Sequence, residues 1–374
     1  MDVKKFLDVL KELGGDFYTG VPDSLLSSFI DGVMDSYGIS DRHIVAANEG
    51  AAVGLAAGHY LATSRPAVVY MQNSGIGNAV NPICSLLHEK VYSIPVIFVI
   101  GWRGEPGTKD EPQHVFQGEC TLSLLDCLQL PYVVISKNPG DLQASIAEFK
   151  EHLQNGRSVA FVVAKDALQN EKRMKYTSDA VLVRENALKT ILAGSNADVC
   201  VCTTGKLSRE VFEIREQNGE GHGCDFLTVG AMGHSLMIAH GIALAKPEKR
   251  VFCLDGDGAV LMHMGSLAVV GAHSPKNLVH IVINNGAHET VGGLPTVGSK
   301  LDLYKAAKAL GYQKSFIVKS EDELTKVLEG LSTPAGPVFI EVICNLVSRA
   351  DLGRPTTTPL QNKNDLMAYL KGEV

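Results

Sequence analysis

Short apolar runs recur along the chain, and most are followed by a stretch whose apolar positions return at helical spacing. In the first half the runs are Phe17–Val21, Ile44–Ala47, Ala67–Met71, Val96–Ile100, Tyr132–Ile135 and Val159–Val163. In the second they are Val199–Cys202, Phe226–Val229, Val251–Leu254, Leu278–Ile283, Phe316–Val318 and Val338–Cys344. Near-continuous β-branched runs of this kind mark strands buried on both faces, and their alternation with helical patterns predicts an α/β fold. Each half is expected to form one doubly wound parallel sheet with helices on both faces. The predicted domains are residues 1–165 and 180–374, joined by the polar, charge-mixed segment 166–179, a solvated linker by its composition. After Cys344 the periodicity is lost as far as Leu360, and Asn364–Leu370 predicts a closing helix. An irregular run of that length in a compact domain is often functional.

The 374 residues suffice for two domains of ordinary size. With 34 basic and 41 acidic side chains the chain is mildly acidic, and no basic stripe points to nucleic acid. No apolar stretch is long enough to span a membrane, and the N-terminal residues lack the apolar core of a signal peptide, so a cytoplasmic location is expected. Eight cysteines without a Cys-x-x-Cys pair fit free thiols in a reducing compartment.

Candidate chemistry collects where the predicted strands end. Gly256-Asp257-Gly258 closes the Val251–Leu254 run, and Asn284-Asn285 closes Leu278–Ile283, with a helix predicted over Ala259–Gly271 between them. Ligands bind at the carboxyl edge of open α/β sheets, and magnesium prefers hard oxygen donors shared with phosphate. The Asp257 carboxylate and the Asn285 carbonyl therefore predict a magnesium site, with Gly256 and Gly258 letting a diphosphate approach the backbone. Thr203-Thr204-Gly205 opens a helix after a strand and predicts a diphosphate contact through backbone N–H groups. Glu49 stands at a strand end before a helix of small residues, where a first-turn Glu is also simply favoured by the helix dipole.

Glu49, the run Thr228-Val-Gly-Ala-Met232-Gly-His-Ser and the segment Asp257 to Asn285 together resemble the thiamin-diphosphate-dependent 2-keto acid decarboxylases. The resemblance covers nearly the whole chain and implies a pyrimidine-binding domain followed by a pyrophosphate-binding domain, with no central third domain. It implies that Glu49 hydrogen-bonds N1′ of the cofactor aminopyrimidine, that the Gly230 carbonyl accepts from its amino group, and that Met232 supports the thiazolium. It places the third protein ligand of magnesium at the backbone carbonyl of Ala287. Among such enzymes the segments Gly20–Leu26, Asp110–His114, Gly292–Thr296 and Arg349–Pro359 look like those of the compact two-domain members. The implied substrate is then phosphonopyruvate, the products phosphonoacetaldehyde and carbon dioxide, and the setting phosphonate biosynthesis.

Where many relatives carry two adjacent histidines this chain has Gln113-His114, so proton handling is expected to fall to His114 with Asp23 or His288. Asp23 is also an ordinary helix cap by its Pro-Asp-Ser context. A doubly acidic substrate needs local cations in this acidic protein, and Arg103, Lys109, Arg349 and Arg354 are the candidates. The Gly- and Pro-rich stretch Gly101–Gln113 is expected to cover the site as a loop. The family also implies a homodimer or larger oligomer, with the cofactor between subunits. Sulfopyruvate or another 2-keto acid is the competing substrate. A nucleotide-binding protein without catalysis is the competing class, disfavoured because no Gly-x-Gly-x-x-Gly follows the first strand.

Overall fold

The apolar runs become strands in the computed structural model, which describes residues 1–137, 142–195, 198–331 and 336–373. In chain order they are β1 (Tyr18–Gly20), β2 (His43–Val45), β3 (Ala67–Gln72), β4 (Val96–Gly101), β5 (Tyr132–Ile135), β6 (Val159–Val163), β7 (Val199–Cys202), β8 (Asp225–Leu227), β9 (Val251–Gly256), β10 (Leu278–Asn284), β11 (Ala287–His288), β12 (Leu294–Pro295), β13 (Lys314–Val318) and β14 (Val338–Ile343). The chain divides into two compact units, Met1–Lys175 and Tyr176–Val374.

In the first unit the sheet order is β2-β1-β3-β4-β6-β5. All its strand pairs are parallel, as in Tyr18↔Val68 and Ile97↔Val159. In the second the order is β13-β14-β10-β9-β7-β8, again parallel throughout, with the short antiparallel pair β11-β12 set apart. Helices pack on the sheets because the central strands carry apolar side chains on both faces: Val68, Val69, Tyr70, Ile97, Phe98 and Val99 are all fully buried. In the second sheet, Cys200, Phe252, Ile281 and Ile340 build one core and Val201, Cys253, Val282 and Phe339 the other, alternating along each strand.

The order of strands decides where a ligand can sit. In the first unit the chain runs from β1 outward to β2 and then returns to β3 on the other side, so the switch point lies between β1 and β3. In the second unit it runs from β7 to β8 and returns to β9, so the switch point lies between β7 and β9. A crevice opens at the carboxyl ends of the strands at such points. Thr203 N–H bonds to the Leu254 carbonyl at 2.8 Å, which sets Thr203–Gly205 beside Gly256–Gly258 at the second switch.

Local boundaries differ from the sequence reading in a few places. The expected helix Ala259–Gly271 is two helices, Asp257–Met262 and Gly265–His273, broken at His263, whose backbone (φ −134°, ψ 48°) is not helical. The final helix is longer than expected, Pro359–Lys371, because Thr358 and Gln361 form a capping box and Pro359 takes a first-turn position where its missing N–H costs nothing. Asn362 holds it to the sheet, donating to the Asp225 carbonyl at 2.8 Å and accepting from Leu227 N–H at 3.0 Å.

Candidate active site

In the first unit, the loops after β1, β2, β3 and β4 carry Asp23, Glu49, Asn73 and Arg103 to the carboxyl edge of the sheet. Asn48 caps the helix Glu49–Thr63 by accepting from Ala51 N–H at 2.8 Å, which fixes Glu49 at its first turn. Glu49 is 5% exposed; its Oε2 accepts from the Asn78 amide at 2.8 Å. A Cβ on Gly75 would lie 2.4 Å from Glu49 Oε1, so only glycine leaves room for this carboxyl. Burial raises the Glu49 pKa above the ordinary value, against the pull of the Asn78 hydrogen bond.

Asp23 is fully buried, and burial pushes its carboxyl up to about 6 although nearby Arg103 opposes this. Its Oδ2 accepts from Leu26 N–H at 3.3 Å, the expected cap contact, while Oδ1 has no partner. Two more buried polar atoms lack partners nearby in sequence to Arg103: Gln113 Oε1 and His114 Nδ1. Arg103 clasps Asp110 through Nε at 2.8 Å and Nη2 at 2.5 Å, and donates from Nη1 to Ser24 Oγ at 2.8 Å. Burial is the largest single influence and would raise Asp110, but the hydrogen bonds from Arg103 and from the Glu111 and Gly104 N–H groups, with the Arg103 charge, together outweigh it and hold the carboxyl far below the usual range. Asn73 grips the Arg103 backbone from both sides, at 2.8 and 3.2 Å. The loop expected to cover the site is thus tied down by Asp110 and Asn73, while Lys109 stays exposed.

In the second unit, Asp257 begins a helix directly after β9 and is 2% exposed. Thr296 Oγ1 donates to its Oδ2, and the backbone N–H groups of Gly258 and Asn285 also favour its ionised form. Burial still wins and raises the carboxyl to about 6. Gly298 closes over it, since a Cβ there would fall 2.5 Å from Oδ2. Asn285 and Ala287 follow β10, and Asn285 Oδ1 accepts from Ala287 N–H at 3.1 Å. Gly256 has nothing within 4 Å of where a Cβ would stand, so its backbone faces open space. Gly205 turns with φ +102° at the start of helix Lys206–Gln217, beside Thr290. His288 and Met232 meet over Gly258: a Cβ there would lie 3.0 Å from the imidazole and 3.3 Å from the Met232 methyl. The loop carrying Gly230 bends sharply at Ala231 (φ 53°).

Two expectations change. Proton handling near neutral pH was expected to fall to His114 with Asp23 or His288, but burial lowers both His114 and His288 to about 4, with Arg103 adding to the effect at His114. Both imidazoles are neutral at pH 7. Arg349 was expected to offer charge to substrate, but it is matched by Glu185 (2.7 Å), Glu213 and Asp351 (3.2 Å). Arg354 lies on the exposed tail. Sequence reasoning missed Asn78, Asn73 and Glu289, whose contacts come from distant segments; Thr296 lay in a segment singled out only for its family look.

The thiamine pyrophosphate enzyme N-terminal TPP binding domain matches residues 3–125, and the corresponding C-terminal TPP binding domain matches residues 203–342. With two parallel α/β sheets, this makes the protein a thiamin-diphosphate enzyme. The chain is 35% identical to a phosphonopyruvate decarboxylase of Streptomyces viridochromogenes, covering 96% of this chain and 93% of that one. It is also 35% identical to a phosphonopyruvate decarboxylase of Streptomyces hygroscopicus, covering 94% and 89%. A sulfopyruvate decarboxylase of Methanosarcina acetivorans is 26% identical, covering 91% and 90%. The chain belongs to the phosphonopyruvate decarboxylase family of thiamin-diphosphate-dependent decarboxylases and is a carboxy-lyase.

Proposed function

We propose that the chain decarboxylates 3-phosphonopyruvate to phosphonoacetaldehyde and carbon dioxide with thiamin diphosphate and magnesium, as a step of phosphonate biosynthesis. The substrate is favoured by two relatives of that name, each 35% identical over nearly the whole of both chains. The observation that carries the cofactor reading is the buried Asp257 carboxyl beside Asn285 at the β7/β9 switch, with the open backbone of Gly256 next to it.

In this reading Asp257, Asn285 and the Ala287 carbonyl hold magnesium, while Thr204, Gly205, Gly256 and Gly258 hold the diphosphate. The Gly230 carbonyl and Met232 set the bend of the cofactor, and Glu49 exchanges a proton with its aminopyrimidine, a task suited to a buried carboxyl of raised pKa. Bound thiamin diphosphate supplies the electron sink for loss of carbon dioxide. The protein binds and orients the keto acid, excludes water and delivers a proton to the carbon that carbon dioxide leaves. Asp23, near 6, is the better proton donor, with His114 and His288 as neutral hydrogen-bonding partners. Arg103, whose charge acts on both Asp23 and His114, and Gln113, whose buried Oε1 has no partner, are the substrate-facing groups we favour, ahead of Lys109, Arg349 and Arg354.

We further infer a dimer or larger oligomer in which a second copy completes each cofactor site, by family resemblance. Sulfopyruvate is the second reading, supported by the Methanosarcina relative, which also matches along most of its length. Carbon dioxide release with thiamin diphosphate and magnesium, comparing phosphonopyruvate, sulfopyruvate and pyruvate, tests the substrate. A kcat/KM for phosphonopyruvate at least tenfold above both others is expected; preference for sulfopyruvate would replace the proposal.

A further inference from the structure

Asparagine is an ambiguous metal ligand. Its carbonyl and amino ends are nearly the same size, and only the carbonyl oxygen can bind a cation, so a half-turn of the side chain abolishes the site. Something must decide which end faces the metal.

At Asn285 the structure supplies that decision from outside the site. The Asn285 Nδ2 donates to Glu289 Oε2 at 3.0 Å. Glu289 is locked as an anion that only accepts: Lys206 Nζ reaches its Oε1 at 2.8 Å, and Arg184 Nη1 reaches its Oε2. Arg184 is itself buried, 4% exposed, and doubly bonded to Glu210 at 2.6 and 2.7 Å. Lys206 is tethered a second time, to Ser348 Oγ at 2.6 Å. Cations from two helices, Arg184–Ala193 and Lys206–Gln217, therefore converge on one carboxylate in the turn Glu289–Val291, and Ser348 of the C-terminal segment tethers one of them. With an acceptor fixed on one side, the amide nitrogen must point there and the oxygen must point away, where it now accepts from Ala287 N–H at 3.1 Å.

We propose that Glu289 is a positioning residue that sets the Asn285 amide with its carbonyl oxygen toward the divalent cation, and that Arg184 and Lys206 hold Glu289 in place for it. The inference rests on the reading of Asn285 as a magnesium ligand. Such outer partners of metal ligands typically contribute about 10–100-fold in affinity. Glu289 touches neither substrate nor reacting atoms in this role, so its effect falls on metal binding and leaves kcat at saturating metal and cofactor within a few-fold of wild type.

The test is Mn²⁺ binding to the full chain in the presence of thiamin diphosphate, read from loss of the free Mn²⁺ electron paramagnetic resonance signal. Glu289→Ala leaves Arg184 on Glu210, strands no buried charge and is expected to fold. Its Mn²⁺ affinity should drop about 10–100-fold. Glu289→Gln keeps an acceptor for Asn285 and should stay within about threefold of wild type. Glu289→Ser, with no side chain long enough to reach Asn285, is a second variant should the alanine protein be unstable, and it should lose affinity as the alanine does. Asn285→Ala separates the two layers. If it loses Mn²⁺ affinity while Glu289→Ala and Glu289→Ser bind like wild type, the positioning role is wrong. If Asn285→Ala also binds like wild type, the ligand reading beneath it is wrong. A lower melting temperature for Glu289→Ala with unchanged Mn²⁺ affinity would mark a purely structural residue and overturns the proposal.

Discussion

Three carboxyl groups sit at strand ends in surroundings that raise their pKa: Asp23 and Glu49 in the first unit, Asp257 in the second. A fold selected for stability alone would replace them with amides or apolar groups of the same size. Glu49 is the sharpest case, because Gly75 is hollowed out to admit it and Asn78 orients it. Glu49→Gln keeps size and the Asn78 contact but removes the exchangeable proton, so kcat should fall about 10²–10⁴-fold with thiamin diphosphate binding weakened far less. Steady-state kinetics beside calorimetric cofactor titration check this. Asp23 allows a test that needs no substrate. Its folded pKa, about 6 against an ordinary 3.8, means the folded state binds more protons than the unfolded between roughly pH 4 and 6. Stability should therefore fall as pH rises through that window and be flat above it on this account. Asp23→Asn removes the effect: the variant should match wild type below pH 4 and exceed it by about 2–3 kcal/mol at pH 7, measured by urea denaturation across pH. A variant less stable than wild type at pH 7 would show that ionised Asp23 is well paired.

The strands were legible because strands buried on both faces carry few polar residues to blur them. All twelve expected strands are present in the two parallel sheets, and the α/β fold class is as the pattern predicts. The errors fall where a polar side chain is buried with a partner that no local pattern reveals. β2 starts at His43, whose ring bonds Gly38 O at 2.7 Å and the Tyr70 hydroxyl at 2.9 Å. β8 starts at Asp225, fully buried against Arg215. Hydropathy reads both as loop. The pair β11-β12 escaped because strands of two residues have no period. Within the candidate site, the glycines and acids at strand ends were readable, whereas Asn78 and Thr296 act across long sequence distances and leave no spacing signal, and Glu289, four residues from Asn285, is held by Arg184 and Lys206 from distant segments. Gly75→Ala should push the Glu49 carboxyl aside and cut kcat at least tenfold, at a stability cost of about 1–3 kcal/mol. Wild-type turnover in a folded Gly75→Ala protein would mean that Glu49 need not sit where the structure holds it.

Across the whole chain the net charge is −7, so an acidic substrate is drawn in by local cations rather than by the overall field. Much of the cationic charge is already matched: Arg184 and Lys206 on Glu289, Arg349 on three carboxylates, Arg103 on Asp110. Arg103 nonetheless combines a fixed guanidinium with neighbouring unpartnered polar atoms, and Arg103→Ala should raise KM for phosphonopyruvate more than it lowers kcat. An oligomer that shares its cofactor sites should lose turnover per chain on dilution in step with its dissociation, followed by sedimentation. The decisive experiment is calorimetric titration of thiamin diphosphate into the metal-free protein, with and without magnesium, for wild type and Asp257→Ala. Tight binding that needs both magnesium and Asp257 is the predicted result; equally tight binding without the metal, or by the Asp257→Ala protein, would contradict the placement of the cofactor site at the ends of β9 and β10.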